Sequence, residues 1–364
     1  MFQKVQTHLQ KNLPFVLYRK PNQKEITGYL QQEDTLFSVI DFTEKGFVIS
    51  SFDGECTYYI PEEKAKKHQW EYQESFVKKA ESTIAVYESE HKEAFVDVVK
   101  KGVQAIRNKE FEKVVLSRNE TISVENTSIV EVYESLVYQY PTAYVYCFHH
   151  PKIGTWLGAT PELLLNVAED VFKTISLAGT QKGSGDPAVS WQNKEIEEQQ
   201  FVTDFIVSKL KNELEAVTVS QPYSVQAGSL WHIRTDITGH LSPQKALCKI
   251  LKILHPTPAV CGLPKEIAKK FILENENYDR QFYTGFLGEL NCEDITGKHN
   301  VDLYVNLRCM QIKATATEMA EKQSLKQVIL YMGCGVTKDS IPEKEWEESV
   351  NKSMTMKKVL HLMK

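Results

Sequence analysis

Strand-like segments dominate this sequence, and many of them follow one another along the chain with no helical segment in between. A doubly wound parallel sheet needs a helix between most strands, whereas antiparallel strands need only short turns. The order of segments therefore predicts an α+β fold built on antiparallel sheets. Beyond residue 110 these segments are KVVLSRNETISV, TAYVYCFHH, TWLGAT, ELLLNV, VFKTISLAG, WHIRTDITGHL, FYTGFLGEL, VDLYVNLRCMQI and QVILYMGCGV.

Helical periodicity is limited to a few stretches, in which apolar residues recur every three or four positions. They span about residues 82–109, 193–215, 245–254, 265–276 and 343–363. The first ninety or so residues instead alternate short apolar runs with turn residues and are predicted to be strands. No repeat, low-complexity tract or Gly/Ser-rich linker interrupts the chain, so we predict one domain over residues 1–364.

Composition and charge exclude several classes of protein. The formal net charge is -5 over 364 residues, and no long cluster of Lys or Arg offers the basic face that nucleic acids or acidic membranes require. No run approaches the roughly 18 apolar residues of a membrane span, and the N-terminal residues lack the apolar core of a signal peptide. Seven cysteines without a CxxC pair are typical of reduced, buried thiols. We therefore expect a cytoplasmic protein that binds neither nucleic acid nor membranes.

Three glutamates are candidates for a metal site. Glu345 and Glu348 lie three apart in EKEWEES, in the first turns of the helix predicted after Pro342, so their carboxylates share one face. Glu198 lies in the first turns of the helix predicted in NKEIEEQQFVTDFIVSKL. Carboxylate oxygens of this kind suit Mg²⁺. Glutamate-rich turns are more often solvated helix faces, and the letters alone favour that interpretation.

Two further ionisable residues occupy unusual positions. Lys113 opens the apolar strand predicted in FEKVVLSR, and it would act as a base only if its surroundings favoured the neutral amine. Glu162 follows a proline in GATPELLL and is predicted at the mouth of a strand, where a carboxyl group can act as an acid. A solubilising lysine and an exposed turn glutamate would explain the same letters.

Arg308 is predicted inside a strand, since VNLRCM gives it apolar neighbours. A partly buried guanidinium needs an anionic partner, and either a ligand carboxylate or an internal Asp or Glu would serve. The remaining polar candidates are unremarkable one by one. They are Thr180, His232, the HPTP stretch from His255 to Pro258, Tyr283 and Lys352.

Taken in order, these segments resemble the chorismate-utilising enzymes, a family that includes the isochorismate, salicylate, anthranilate and aminodeoxychorismate synthases. The resemblance covers about residues 95–362 and rests on KVVLSR, GATPELLL, LAGT, LHPTPAV, YTGFLG, NLR, GCGV and PEKEWEESVNK. It implies an α+β catalytic domain in which two large antiparallel β-sheets pack together, with helices on the outside and the site between the sheets. Residues 1–90 match nothing assignable and are expected to join the sheets or to form a partner surface.

The resemblance also implies a role for each candidate. Three glutamates would hold Mg²⁺, which binds the ring carboxylate of chorismate: Glu198, Glu345 and Glu348. The enolpyruvyl carboxylate would be bound by the side chains of Tyr283, Arg308 and Lys352 and by backbone around Gly333. Lys113 would be the base that activates water for attack at C2, and Glu162 the acid that protonates the departing C4 hydroxyl. Thr180 and His232 would orient the ring or the water.

Within the family, three features favour the isochorismate synthases. Ammonia-using members carry another residue at the position of Lys113, and the aminodeoxychorismate branch has a nucleophilic lysine where this chain has Ala178. Salicylate synthases share Lys113 and Glu162, but generally lack the HPTP string and go on to eliminate pyruvate. We therefore expect Mg²⁺-dependent conversion of chorismate to isochorismate for menaquinone or siderophore synthesis. We also expect a monomer with no glutaminase partner.

Other interpretations stay open. They are a salicylate synthase, an aminating subunit that recruits a glutaminase, and a non-catalytic regulatory relative. Three positions depart from the family pattern: Gln199 replaces a frequent histidine, Cys261 a small residue, and Thr284 an alanine or serine. None of these departures removes a proposed catalytic group.

Overall fold

The computed structural model describes residues 1–72, 92–124, 128–182, 189–227, 230–241, 247–293, 297–313 and 326–361. In these residues, two large sheets pack against each other with helices on their outer faces. The strands pair in an antiparallel sense throughout both sheets. The α+β class and the antiparallel pairing predicted from the order of the segments are therefore confirmed.

The first sheet has nine strands, whose labels follow their order along the chain. From one edge of the sheet to the other they are β15 (Gly262–Leu263), β7 (Lys113–Val124), β19 (Lys326–Val336), β18 (Cys309–Lys313), β9 (Gly154–Thr160), β8 (Tyr144–His150), β1 (Phe15–Arg19), β2 (Glu25–Gln31) and β6 (Ala65–Glu71).

The second sheet has ten strands. Nine form a continuous path: β12 (Leu214–Val219), β14 (Leu230–Leu241), β11 (Val171–Lys182), β10 (Leu163–Ala168), β17 (His299–Val305), β16 (Phe286–Glu293), β4 (Gly46–Ser50), β5 (Thr57–Pro61) and β3 (Phe37–Ser38). The tenth, β13 (Tyr223–Ala227), also pairs with β14.

Seven α-helices lie in the described residues. They are α1 (Phe2–Gln10), α2 (Lys92–Arg107), α3 (Ile129–Gln139), α4 (Asn193–Leu210), α5 (Leu247–Leu254), α6 (Lys265–Asn275) and α7 (Pro342–His361). None of these helices is both long enough and apolar enough to cross a membrane.

The first sheet is buried on both faces, as β1 shows. Phe15 and Leu17 belong to an outer core that includes residues of α1, α3 and α7. Val16 and Tyr18 belong to an inner core, where aromatic rings of both sheets meet, such as Tyr18 and Tyr304. A continuous apolar run is expected of a strand that is covered on both faces.

The first ninety residues contribute strands to both sheets. β1, β2 and β6 extend the first sheet, while β3, β4 and β5 extend the second. The strand prediction for this region is wrong at Phe2–Gln10, which is helical because its buried Val5 and Leu9 lie four apart on one helical face. Of the expectations for this region, joining the sheets is the one that the fold supports.

Two predicted helices differ in their bounds. The helix predicted over 82–109 is seen as α2, and its first ten predicted residues lie outside the described part of the chain. The helix predicted over 193–215 ends earlier, at Leu210, because Leu214–Val219 already form β12. The other helical predictions agree with α5, α6 and α7 to within a few residues.

Candidate active site

A cavity opens between the two sheets, with walls formed by β7 and β19 of the first and by β11 and β14 of the second. It holds roughly 680 Å³ of empty space, its open mouth included, which is within the usual range for small-molecule sites. Eight of the residues predicted from the sequence line it: Glu162, Thr180, Glu198, His232, Tyr283, Arg308, Gly333 and Lys352.

Glu162 lies in the two-residue connection between β9 and β10, as predicted from GATPELLL. Its backbone is fixed because its carbonyl oxygen accepts a hydrogen bond of 2.9 Å from the Val305 N–H. Burial raises the pKa of Glu162 to about 8, although Lys113, Arg308 and Lys352 act to lower it. This carboxyl group therefore keeps its proton near neutral pH and can donate it.

Lys113 and Glu198 form an ion pair beside the cavity. Lys113 is the first residue of β7, as predicted, and its side chain is fully buried. Its Nζ lies 3.2 Å from Glu198 Oε1, which α4 presents from its second turn. A Cβ at residue 335 would fall 2.1 Å from this oxygen, so any larger residue there would displace the Glu198 carboxylate from its present position. Gly335 lines the cavity and was not predicted as a site residue, although GCGV contains it.

The first turns of α7 bring acidic and basic groups to the same region. Glu345 is almost completely buried. Glu348 Oε1 lies 2.7 Å from Lys352 Nζ, and the same ammonium group donates a hydrogen bond of 2.9 Å to the carbonyl oxygen of Gly333. Within the described ranges, no three His, Cys, Asp or Glu side chains are already gathered closely enough to hold a metal ion.

Arg308 does not lie inside a strand, contrary to the prediction. β17 ends at Val305 and β18 begins at Cys309, and Arg308 between them adopts a left-handed backbone with φ of +47°. Its guanidinium contacts Thr355 Oγ1 and His232 Nε2, each at 3.4 Å. Among the described residues no carboxylate forms an ion pair with it. An internal Asp or Glu partner, the alternative left open by the sequence, is therefore not seen there.

His232 is neutral, and its contacts define its tautomer. Burial, together with the charges of Arg308 and Lys352, lowers the pKa of His232 to about 3. Because a guanidinium can only donate, Nε2 must accept the hydrogen bond from Arg308. The proton is then on Nδ1, which donates to the carbonyl oxygen of Gly179 at 3.0 Å and lies 3.3 Å from Thr180 Oγ1.

Tyr283 completes the cavity on the side of β19. Its ring stacks on Tyr331 with centroids 5.5 Å apart, and a Cβ at Gly333 would fall 3.0 Å from its hydroxyl oxygen. Tyr331 also lines the cavity but was not predicted, since an aromatic residue in YMGCGV is indistinguishable from an ordinary core residue.

The three departures from the family pattern have distinct surroundings. Gln199 is buried, and its Nε2 lies within hydrogen-bonding distance of Thr235 Oγ1 (2.8 Å) and Thr203 Oγ1 (2.9 Å), which ties α4 to β14. Thr284 lines the cavity beside Tyr283. Cys261 is buried away from the cavity lining, in the core beneath α2.

The fold and the charges in this cavity place the protein among enzymes that bind a small anionic molecule between two packed sheets. The chain belongs to the chorismate binding enzyme family, whose sequence profile matches residues 50–361. The family resemblance drawn from the motifs is therefore confirmed. The match begins well before residue 95, so β5 and β6 are also part of the family pattern.

Several of the relatives are isochorismate synthases, and an anthranilate synthase component 1 is also among them. Isochorismate synthase EntC of Escherichia coli is 29% identical over 282 residues, which cover 74% of this chain and 67% of the relative. Isochorismate synthase DhbC of Bacillus subtilis is 33% identical over 212 residues, which cover 56% of this chain and 49% of the relative. A crystal structure of a DhbC from Bacillus anthracis superposes with a TM-score of 0.77 at 23% identity and covers 98% of this chain and 99% of its own. This structural likeness shows the fold.

Proposed function

We propose that the protein is an isochorismate synthase, which converts chorismate to isochorismate in a Mg²⁺-dependent reaction. The observation that carries the proposal is Glu162, a buried carboxyl group that keeps its proton in a cavity lined also by Arg308 and Lys352, with Lys113 beside it. An acid and several cations around one small cavity suit a dianionic substrate that loses a hydroxyl group. The isochorismate synthases among the relatives support the same activity.

Substrate binding is assigned to cationic side chains that either form no ion pair within the described residues or could exchange their carboxylate partner for the substrate. Arg308 is the natural ligand for the enolpyruvyl carboxylate, since in the described residues no internal carboxylate neutralises it. Lys352 and the Tyr283 hydroxyl would add to this contact, with backbone groups around Gly333. Thr180 and the neutral His232 would orient the ring, because His232 is held by both β11 and Arg308.

The magnesium ligands are assigned to Glu198, Glu345 and Glu348. The chemistry of this donor set fits the ion, because Mg²⁺ prefers carboxylate oxygens and the set comes from two helices that border the cavity. The glycine at 335, which leaves space for the Glu198 carboxylate against β19, supports the same assignment. When bound, Mg²⁺ offsets the charge of the ring carboxylate.

Glu162, which lines the cavity, is assigned as the acid, and Lys113, which lies beside the cavity, as the base. Lys113, in the neutral form that a base requires, would accept a proton from the water that attacks C2, and Glu162 would donate its proton to the C4 hydroxyl as that group departs as water. The net reaction moves a hydroxyl from C4 to C2, so no oxidant or second substrate is needed. A raised pKa is what the acid requires, since an ordinary glutamate would be ionised at neutral pH.

We further propose that the chain works as a single cytoplasmic catalytic domain and a monomer, without a glutaminase partner. No glutaminase partner is expected because the conversion of chorismate to isochorismate consumes no ammonia. Isochorismate would feed menaquinone or siderophore synthesis, and both uses are compatible with this chemistry.

The test is a chromatographic product assay with purified protein, chorismate and Mg²⁺, run with and without ammonium. An EDTA sample and a Glu162→Gln variant serve as controls. Isochorismate formed reversibly, without pyruvate and only with the metal, would support the proposal. Salicylate with pyruvate would move the protein to the salicylate synthases, and an aminated product that appears only with ammonium would move it to the aminating branch.

A further inference from the structure

Two strained turns meet at the edge of the cavity. One turn covers residues 282–285 and carries Tyr283 next to Thr284, whose φ is +61°. The other covers residues 306–308 and carries Arg308, whose φ is +47°. Left-handed backbone is uncommon for residues other than glycine, and it persists only where the surroundings hold it in place. The contacts that hold these two turns therefore fix where the two side chains point.

Asn306 joins the two turns. It is fully buried, and its side-chain Nδ2 donates a hydrogen bond of 2.8 Å to the carbonyl oxygen of Phe282. Its backbone N–H donates to the carbonyl oxygen of Gly285 at 2.8 Å, and its own carbonyl oxygen accepts from the Thr284 N–H at 2.9 Å. A fourth bond, of 2.6 Å, comes from the hydroxyl of Tyr146 to Asn306 Oδ1. Three of the four bonds thus run to the turn that carries Tyr283.

The opposite side of the Arg308 turn is fixed to β9. The Ala159 N–H donates to the carbonyl oxygen of Arg308 at 3.0 Å, and Thr160 Oγ1 donates to the carbonyl oxygen of Val305 at 2.6 Å. The turn is therefore held between β9 on one side and the Tyr283 turn on the other. Only a primary amide of this length supplies both the donor to Phe282 and the acceptor for Tyr146.

We propose that Asn306 is a positioning residue for carboxylate recognition, which sets the separation of Tyr283 and Arg308. The residues that line the cavity include Tyr283, Thr284 and Arg308 but not Asn306, so it acts through its neighbours. The inference rests on the proposed function, in which Tyr283 and Arg308 bind the enolpyruvyl carboxylate. It goes beyond that function because it names the buried residue that fixes the distance between the two carboxylate-binding side chains.

The expected effect is on substrate affinity and not on the chemical step. The enolpyruvyl carboxylate takes no part in the bonds that form and break at C2 and C4, so we expect its contacts to be equal in the ground state and the transition state. Loss of such contacts raises KM with little change in kcat. Asn306→Ala should raise the KM for chorismate roughly tenfold and change kcat by less than about threefold. The Mg²⁺ concentration for half-maximal activity should stay the same.

Two further variants guard against a general loss of folding. Asn306→Asp has nearly the same shape and keeps the acceptor for Tyr146, but it lacks the donor to Phe282, so it should raise KM in the same way. Tyr146→Phe removes only the bond to Oδ1 and leaves the links between the turns. It should lower the melting temperature as Asn306→Ala does, while leaving KM within about twofold of wild type.

Adding Asn306→Ala to a Tyr283→Phe/Arg308→Gln protein decides whether Asn306 acts through these two side chains. If it does, Asn306→Ala adds little to the KM of that protein, because the groups that it positions are already absent. Fully additive effects, or an unchanged KM in both Asn306→Ala and Asn306→Asp, would overturn the inference. An unchanged KM in Arg308→Gln alone would instead overturn the assigned clamp, and so the two failures are distinguishable.

Discussion

The protonation states of individual side chains decide which reaction this cavity can support. Lys113 is the first side chain to test. It is fully buried, and the one carboxylate for which an ion pair with it is seen in the described residues is Glu198, at 3.2 Å. Lys113→Ala should lower kcat by at least about a hundredfold, since it removes the proposed base. Calorimetry should show chorismate binding within a few fold of wild type, because the carboxylate clamp is intact. Near-normal turnover in this variant would contradict the role.

Glu162 leads to a prediction about pH. Its pKa of about 8 means that the active, protonated form is present below pH 8 and is lost as the pH rises through that value. We therefore expect kcat/KM to fall by about tenfold per pH unit above pH 8 to 9. Glu162→Gln has no acidic proton, so its residual activity should lack this alkaline limb. A wild-type profile that is flat up to pH 10 would show that another group is the acid.

The proposed role of Glu348 as a metal ligand can be tested by comparison with its neighbour, Glu347. Glu348→Gln should raise the Mg²⁺ concentration for half-maximal activity roughly tenfold or more, because a neutral amide is a poorer ligand for a hard cation. Glu347→Gln is the matched control, since Glu347 is exposed on the same helical turn. Direct titration with Mn²⁺ by electron paramagnetic resonance measures the same affinity without turnover. Equal effects in the two variants would place the metal elsewhere.

Among the elements, α7 carries two of the proposed metal ligands, and β7 holds it in place. The Arg118 guanidinium of β7 lies 4.3 Å from the ring centre of Trp346, and its Nε donates to Ser349 Oγ at 2.9 Å. Farther along, Lys357 of α7 forms an ion pair of 2.6 Å with Glu120 of β7. Arg118, the first anchor, contacts the helix at Trp346, between the two glutamates, and at Ser349, directly after the second. Lys357, the second anchor, lies more than two turns beyond them.

This arrangement predicts different results for the two anchors. Arg118→Met should destabilise the protein by about 2–3 kcal/mol and raise the Mg²⁺ requirement roughly tenfold, because the first turns of α7 lose their support. Lys357→Met should lower stability but leave the Mg²⁺ requirement unchanged. Urea unfolding and Mg²⁺ titration of both variants give the comparison. A similar Mg²⁺ requirement in both would show that Arg118 supports only the fold.

The elements also show what the sequence could and could not predict. Strand β7 was predicted at its observed bounds, Lys113–Val124, from the apolar run Val114–Leu116 and the alternation of Ile122 and Val124 farther on. Helix α3 was not predicted, although Ser128 and Glu131 form a capping box and Leu136 and its buried neighbours follow helical spacing. The β-branched and aromatic residues of IVEVYESLVYQ concealed this signal.

The site was predicted unevenly. The roles came from the family motifs, and the geometry brought eight of these residues to one cavity. The break at Arg308 could not be predicted, since it depends on hydrogen bonds between Asn306 and a turn that lies about twenty residues earlier in the chain. Gly335 was not predicted because only its tertiary contact with Glu198 distinguishes it from any other glycine in a strand. Local sequence patterns carry no information about contacts between segments that lie far apart in the chain.

In the whole molecule, the N-terminal strands hold the two sheets together as well as extending them. Lys20 follows β1 of the first sheet and forms ion pairs with Glu289 of β16 and with Asp302 of β17, the latter at 3.1 Å. Tyr18 donates a hydrogen bond to the same Glu289. Around them the stacked rings of Tyr144 and Tyr304 join the sheets, with centroids 4.1 Å apart. The N-terminal residues thus contribute to the interface between the two sheets that enclose the cavity.

Stability of the whole protein should decrease in acid because burial lowers the pKa of His149 and His232 to about 3 and that of His255 to about 4. Below an unfolded pKa of about 6.5, the unfolded chain binds protons at these sites that the folded protein does not. Their contribution, complete above pH 6.5, is therefore lost as the pH falls towards 4, by roughly 1 kcal/mol per pH unit for each histidine. His149→Gln should be less stable than wild type at pH 7, with the difference shrinking by pH 5 in urea unfolding. A constant difference would mean that His149 is protonated equally in both states.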